Sequence, residues 1–302
     1  MTADTAAGPG LAPAPEGPTP PSTSKSRRPP TGRYGREPAG VRWGLRLVAV
    51  AYVVMLVAWP TFLVFQRALE PGIGAMLDSL RDPEVGHALY LTAYITFFAV
   101  LINLVFGLTI SLLLVRYDFR GKRVLSTLVD VPLSISPVVV GLALVLVYNG
   151  RDGWFGPALE GAGYQVIFAS PGMIMATVFV ALPLVIREVV PVLEEVGDDQ
   201  EQAARSLGAN WIQTFRRITL PAIKWAVVYG VVLALARSIG EFGAVKIVSG
   251  NIAGQTMTAS QQVEDAYQNF QQGTAYALAA LLAFIAMACL VIVSLLRPKD
   301  DQ

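Results

Sequence analysis

Six stretches of this 302-residue chain are apolar for long enough to cross a lipid bilayer. A hydrocarbon core about 30 Å thick asks for about 20 apolar residues at a helical rise of about 1.5 Å each. Segments of that kind recur at about 44–66, 87–115, 123–149, 168–193, 222–248 and 274–296. Backbone amides and carbonyls find no water in that core, so a crossing segment must be a helix or a strand of a closed barrel. These segments are apolar nearly all round and lack the alternation of barrel strands. The expected fold is therefore an all-α integral membrane protein with six transmembrane helices. Prolines in DVPLSISPVVVG (130–141) and ALPLVIREVVPVL (181–193) predict bends in the third and fourth helices.

Composition excludes a water-soluble globular domain: the chain is 54% hydrophobic and 15% charged, against about 25% charged in soluble domains. The single cysteine, Cys289, lies in an apolar segment and has no intrachain disulfide partner. Residues 1–40 are rich in Pro, Gly, Ser and Ala and poor in large apolar side chains, so they read as a disordered tail ahead of a helical domain at 44–297. They lack the short apolar core and cleavage site of a secretory signal.

Basic residues near helix ends set the expected orientation. With the tail inside, the inner side receives Lys25, Arg27, Arg28, Arg33, Arg36, Arg42 and Arg46, then Arg116, Arg120, Lys122 and Arg123 at the second loop. It also receives Arg187, Arg205, Arg216, Arg217 and Lys224 around the fourth loop, and Arg297 and Lys299 at the end. The outer side receives only Arg67, Arg81, Arg151 and Lys246. A multi-pass plasma-membrane protein with both termini cytoplasmic follows, its tail attracted to anionic lipid through Lys25, Arg27 and Arg28.

The fourth loop, EEVGDDQEQAARSLGANWIQTFRRITL (194–220), carries two sets of helix signals. Asp198, Asp199 and Glu201 favour a helix N-terminus, Ala203 and Ala204 propagate it, and Gly208 stops it. Asn210 can cap a second short helix in a box with Gln213, and Arg216 and Arg217 complement its C-terminus before Pro221. Trp211, Phe215 and Ile218 then form an apolar stripe on an element too short to cross a bilayer. The stripe suits the lipid interface or the chain's own helix ends, and equally a groove on a partner protein.

The run Gln202-Ala203-Ala204, three residues, Gly208, nine residues, then Ile218-Thr219-Leu220-Pro221 resembles the cytoplasmic loop of ABC importer permeases, whose pattern begins Glu-Ala-Ala. Here the glutamate position holds Gln202, with Glu201 one residue earlier. The resemblance implies a type I ABC importer permease fold over 44–297, with a coupling helix in the loop 194–221 that docks in a separate ATPase. It implies ATPase-coupling roles for Glu201, Gln202, Ala203, Ala204, Gly208, Trp211, Phe215, Ile218, Leu220 and Pro221. It further implies two ATP-binding subunits that hold ATP and Mg, with no cofactor in this chain. The chain has no GxxxxGK[ST] phosphate loop, its Gly121-Lys122 pair lacking the flanking residues, so it is expected not to be an enzyme by itself.

The stretch ARSIGEFGAVKIVSG (236–250), with FRRITLPAIKWAVVYGVV and DVPLSISPVVVGLAL, is similar to sulfate and thiosulfate permeases of the CysW type. That resemblance implies sulfate import with a second, homologous permease and an external sulfate-binding protein. Molybdate and tungstate permeases carry related sequence, and a secondary anion transporter or channel is the alternative in a different class. Arg237 and Glu241 sit at i and i+4 in the expected fifth span, with Arg237 deep in the membrane if that helix starts near Ala222. They read either as a packing ion pair or as a pathway gate between Gly240 and Gly243; Glu241 cancels the charge a sulfate would seek, so a bare anion site fits less well. Ser134 and Ser136 could hydrogen-bond a passing oxyanion or a backbone carbonyl. Asp130 reads as interfacial. His87, the only histidine, has no cluster of ligands beside it, so no metal site is expected, and nothing points to nucleic acid.

Overall fold

The computed structural model describes residues 39–296. The expected tail thus lies outside the described residues apart from its last two positions, as do the basic residues assigned to it up to Arg36, and Arg297 and Lys299. The chain divides into a unit ending at Val54 and one starting at Met55. Within the first, α1 (Ala39–Val53) is exposed from Gly40 onward, and the Arg46 guanidinium lies 5.6 Å over the Trp43 ring.

The second unit contains α2 (Trp59–Leu69), α3 (Ile73–Leu80), α4 (Pro83–Arg116), α5 (Lys122–Ser134), α6 (Pro137–Tyr148), α7 (Gly156–Gly161) and α8 (Ser170–Val196). It continues through α9 (Asp199–Ser206), α10 (Trp211–Thr214), α11 (Leu220–Ile239), α12 (Gly243–Ser249), α13 (Ala259–Gln268) and α14 (Gln272–Leu296). No strand occurs among the described residues. Five helical stretches are long and apolar enough to cross a membrane: Gly40–Leu69, Pro83–Arg116, Ser170–Val196, Trp211–Ile239 and Gln272–Ile292.

The third expected span, 123–149, is a bent pair instead of one helix. Helices α5 and α6 meet at 112°. Pro132 does not make this bend, since it lies inside α5. The break falls at Ile135 and Ser136, with ψ of 137° and 133°; Pro137 forces the residue before it out of the helical region, and α6 starts on the proline.

The fifth expected span, 222–248, is also corrected. Helix begins at Trp211, eleven residues early, and runs through a π-helical turn (Phe215–Thr219) into α11, which ends at Ile239. Pro221 therefore does not stop the short helix; it occupies the first turn of α11. The Leu220 amide donates to the Phe215 carbonyl, five residues back, and this wider turn accommodates a residue with no N–H. After Ile239, residues 240–242 are not helical and α12 follows.

Helix α8 is the centre of the unit, packed by α4, α11, α12 and α5. Two glycines set the closest approaches. A Cβ on Gly107 of α4 would lie 2.9 Å from Val185 Cβ, and one on Gly230 of α11 would lie 3.0 Å from Val185 Cα. Between membrane helices such small residues replace the missing hydrophobic drive with close van der Waals contact. Buried residues from α4, α8 and α12 (Leu91, Ile95, Met173, Val180, Val245, Val248) form one cluster; Val185, Val189 and Leu193 with Ile223 and Ala234 of α11 form a second.

Candidate functional site

The 194–220 loop is built locally as its residues demand. Helix α9 ends at Ser206, and Gly208 takes φ +87°, a conformation that costs other residues about 1 kcal/mol or more. The Asn210 side chain accepts from the Gln213 amide at 2.8 Å, and the Gln213 side chain accepts from the Asn210 amide at 3.0 Å, which is the expected capping box. Leu207 is 89% exposed, Trp211 60% and Ile212 58%. Trp211 stacks on Phe215 at 5.8 Å and 7°. The expected stripe is therefore divided: Phe215 and Ile218 are half-buried, and the freely offered apolar surface is Leu207, Trp211 and Ile212. Behind it lies a groove of about 420 Å³ between Leu108 and Leu112 of α4 and Trp211 and Phe215.

Glu201 is the polar centre of this loop. Its side chain is 8% exposed and Arg116, the last residue of α4, is 11% exposed. The Arg116 Nε donates to both Glu201 oxygens at 3.2 Å, its Nη1 donates to the Leu193 carbonyl at 3.1 Å, and its Nη2 donates to the Gly197 carbonyl at 2.7 Å. Thr219 Oγ1 donates to Glu201 Oε1 at 2.9 Å, and Arg205 lies 3.7 Å from Glu201 Oε2. One buried carboxylate and one guanidinium thus join the ends of α4 and α8 to α9 and the π-helical turn. Gln202, which stands at the usual glutamate position, is exposed and donates from Nε2 to Asp198 Oδ2 at 2.8 Å. Ala203, Leu220 and Pro221 make no comparable polar tie, and Ala204 is half-buried beside Glu201's helix turn. Arg116 and Thr219 are functional candidates that sequence reasoning missed; Arg116 figured there only as a positive charge at a helix end, because its partners lie 77 to 85 residues away.

The two chain breaks bring the other candidates together. Glu241 follows the end of α11, and its carboxylate, 2% exposed, pairs with Arg237 Nη1 at 2.7 Å. It also accepts from the Ala244 amide at 3.0 Å, at the start of α12. Arg237 lies in the last turn of α11 and is 41% exposed. A Cβ on Gly243 would lie 3.2 Å from Pro137 Cβ and 3.6 Å from the Val138 nitrogen, so the break carrying Glu241 abuts the break carrying Ser136. Helices α6 and α12 then pack so closely that a Cβ on Gly141 would meet the Ala244 carbonyl at 2.7 Å. Gly240 makes no such approach. Ser134 and Ser136 are exposed, and the Ser136 hydroxyl makes no cap to α6.

Of the basic residues counted around the fourth loop, Arg187 is inside α8 and Lys224 inside α11, within the expected spans 168–193 and 222–248. Asp130, read as interfacial, is paired: Arg187 Nη2 donates to its Oδ1 at 2.9 Å and Arg187 Nε at 3.1 Å. His87 Nε2 lies 3.0 Å from the Gln255 carbonyl, and no group of three metal-ligating side chains occurs among the described residues.

The family described as "binding-protein-dependent transport system inner membrane component" matches residues 103–299. The chain is 45% identical over 255 residues to the sulfate transport system permease protein CysW of Synechococcus elongatus, covering 84% of this chain and 89% of that one. It is 32% identical over 252 residues to a probable sulfate transport system permease protein cysT of Helicosporidium, covering 83% and 93%. The bacterial alginate ABC transporter solved with an alginate pentasaccharide-bound periplasmic protein has a chain that superposes with a TM-score of 0.70 at 16% identity, over 86% of this chain and 94% of that one. At that identity the likeness speaks to fold alone, and it bears out the expected type I importer permease fold with its third span bent. The chain is a multi-pass membrane protein and belongs to the inner membrane components of binding-protein-dependent transport systems.

Proposed function

We propose that this chain is the membrane subunit of an ATP-driven sulfate and thiosulfate importer, forming half of the pathway with a second, homologous permease. The observation that carries the substrate is the 45% identity to a sulfate permease over nearly the whole helical domain. Two ATPase subunits, binding ATP and Mg, dock on the exposed Leu207, Trp211 and Ile212 surface, and an external sulfate-binding protein delivers the anion to the opposite side. Both termini are cytoplasmic, which places the 194–220 loop on the ATPase side.

The geometry supports coupling. Movement of α10 acts on a π-helical turn continuous with α11, and through Thr219, Glu201 and Arg116 on the ends of α8 and α4. A docking event at the loop is thereby delivered to α4 and α8, which pack against each other at the centre of the unit.

The test is uptake of radiolabelled sulfate into proteoliposomes holding the permease pair, ATPase subunits and binding protein. ATP-dependent uptake that molybdate fails to inhibit is expected. Uptake that persists without the ATPase subunits, or after removal of residues 198–221, would refute the reading.

A further inference from the structure

The Arg187–Asp130 pair joins α8 to α5 on the surface of the subunit. Arg187 stands nine residues before the end of α8, about 13 Å along the axis, and Asp130 eight residues after the start of α5, about 12 Å along it. Both residues thus lie at least two turns inside helices that belong to apolar candidate spans. Yet the two side chains are 57% and 50% exposed. A half-exposed ion pair facing lipid there costs several kcal/mol, so such residues face water or a partner.

Helix α5 shows which. Ser126, Asp130 and Ser134 recur at i, i+4 and i+8, with Thr127 beside them, all exposed or half-exposed. Val124 and Leu128, 62% and 57% exposed, occupy a separate flank, and Val129 and Pro132 are buried on a third. Lipid or a helix surface suits the apolar flank. The other exposed flank is a polar track, ending at the break that carries Ser134 and Ser136. On α8, Pro191 has no N–H for the Arg187 carbonyl four residues back.

We propose that Arg187 is an oxyanion-binding residue on the translocation pathway, held between passages by Asp130. The guanidinium donates through Nε and Nη2 to one carboxylate oxygen, Asp130 Oδ1. A doubly negative tetrahedral oxyanion offers the same planar fork a stronger acceptor; it displaces the carboxylate, receives further hydrogen bonds from Ser126 and Ser134, and leaves as Asp130 returns. The carboxylate prevents the site from trapping its cargo. This rests on the sulfate-import reading.

The experiment uses the reconstituted complex with Arg187→Gln, Asp130→Asn and the double variant. Arg187→Gln should lower sulfate uptake by about tenfold or more at normal yield of assembled complex, and the double variant should be no faster. A double variant restored to the unaltered rate overturns the proposal, because a pair that serves only packing is satisfied when both charges are removed. A second measurement does not depend on transport: Ser126→Cys in a Cys289→Ser chain, treated with an anionic water-soluble thiol reagent. Sulfate should slow the reaction severalfold when Arg187 is present and not when it is Gln; equal rates in both chains, or no reaction, overturn the proposal. If the unaltered complex takes up no sulfate, the import reading fails, while protection of Cys at 126 by sulfate or molybdate still decides this one.

Discussion

Replacing Glu201 by Gln should damage this protein more than any change at its neighbour Gln202. Glu201 accepts two hydrogen bonds from Arg116 and one from Thr219 while 8% exposed. An amide of the same shape removes the negative charge and turns one acceptor into a donor facing a guanidinium. Breaking a buried pair costs about 3–5 kcal/mol when the remaining charge has no other partner. Arg116 retains the Leu193 and Gly197 carbonyls at 3.1 and 2.7 Å, so the loss should be about 2–3 kcal/mol. In a unit of this size that lowers the melting temperature of the detergent-purified protein by about 5 °C or more. Gln202→Ala removes one exposed contact to Asp198 and should cost about 0.5 kcal/mol or less. Equal melting temperatures for the two variants would refute the reasoning that Glu201, and not Gln202, ties the loop to the helix ends.

Three further outcomes are expected. Trp211→Ala removes a side chain that is 60% exposed and should weaken capture of the ATPase subunit in a pull-down titration by about tenfold, with the permease's own melting nearly unchanged. Gly107→Ala places a Cβ 2.9 Å from Val185 Cβ and should cost about 1–3 kcal/mol by thermal unfolding; adding Val185→Ala should recover most of it. Asn210→Ala removes the capping box, about 1 kcal/mol, and should be read as faster hydrogen exchange at the Gln213 amide.

What the sequence made legible was local or governed by the bilayer. Span lengths follow from hydrocarbon thickness, and the Asn210–Gln213 box and the Gly208 turn follow from residues three or fewer apart. The misplaced features carry no pattern that periodicity reads, and some depend on distant partners. Pro132 and Pro221 look like helix breakers, yet one is absorbed within α5 and the other starts α11 after a widened turn. The break after Ile239 has no local proline; Glu241 holds it by accepting from Ala244, and α12 is held by its approach to Gly141. Arg187 falls inside the expected fourth span, 168–193, as it falls inside α8, but no local signal marks its partner. Its pairing with Asp130, 57 residues away, carries no periodic signal at all.

The meeting of the two breaks has an electrostatic consequence. Helices α6 and α12 begin side by side, at Pro137 and Gly243, so the positive ends of two helix dipoles meet in one small volume, with the Arg237 guanidinium nearby. Glu241 is the built-in counter-ion of that volume. Its charge, which looks unaffordable for a residue 2% exposed, answers three positive sources that would otherwise draw an anion from solution, so the chain supplies that anion itself.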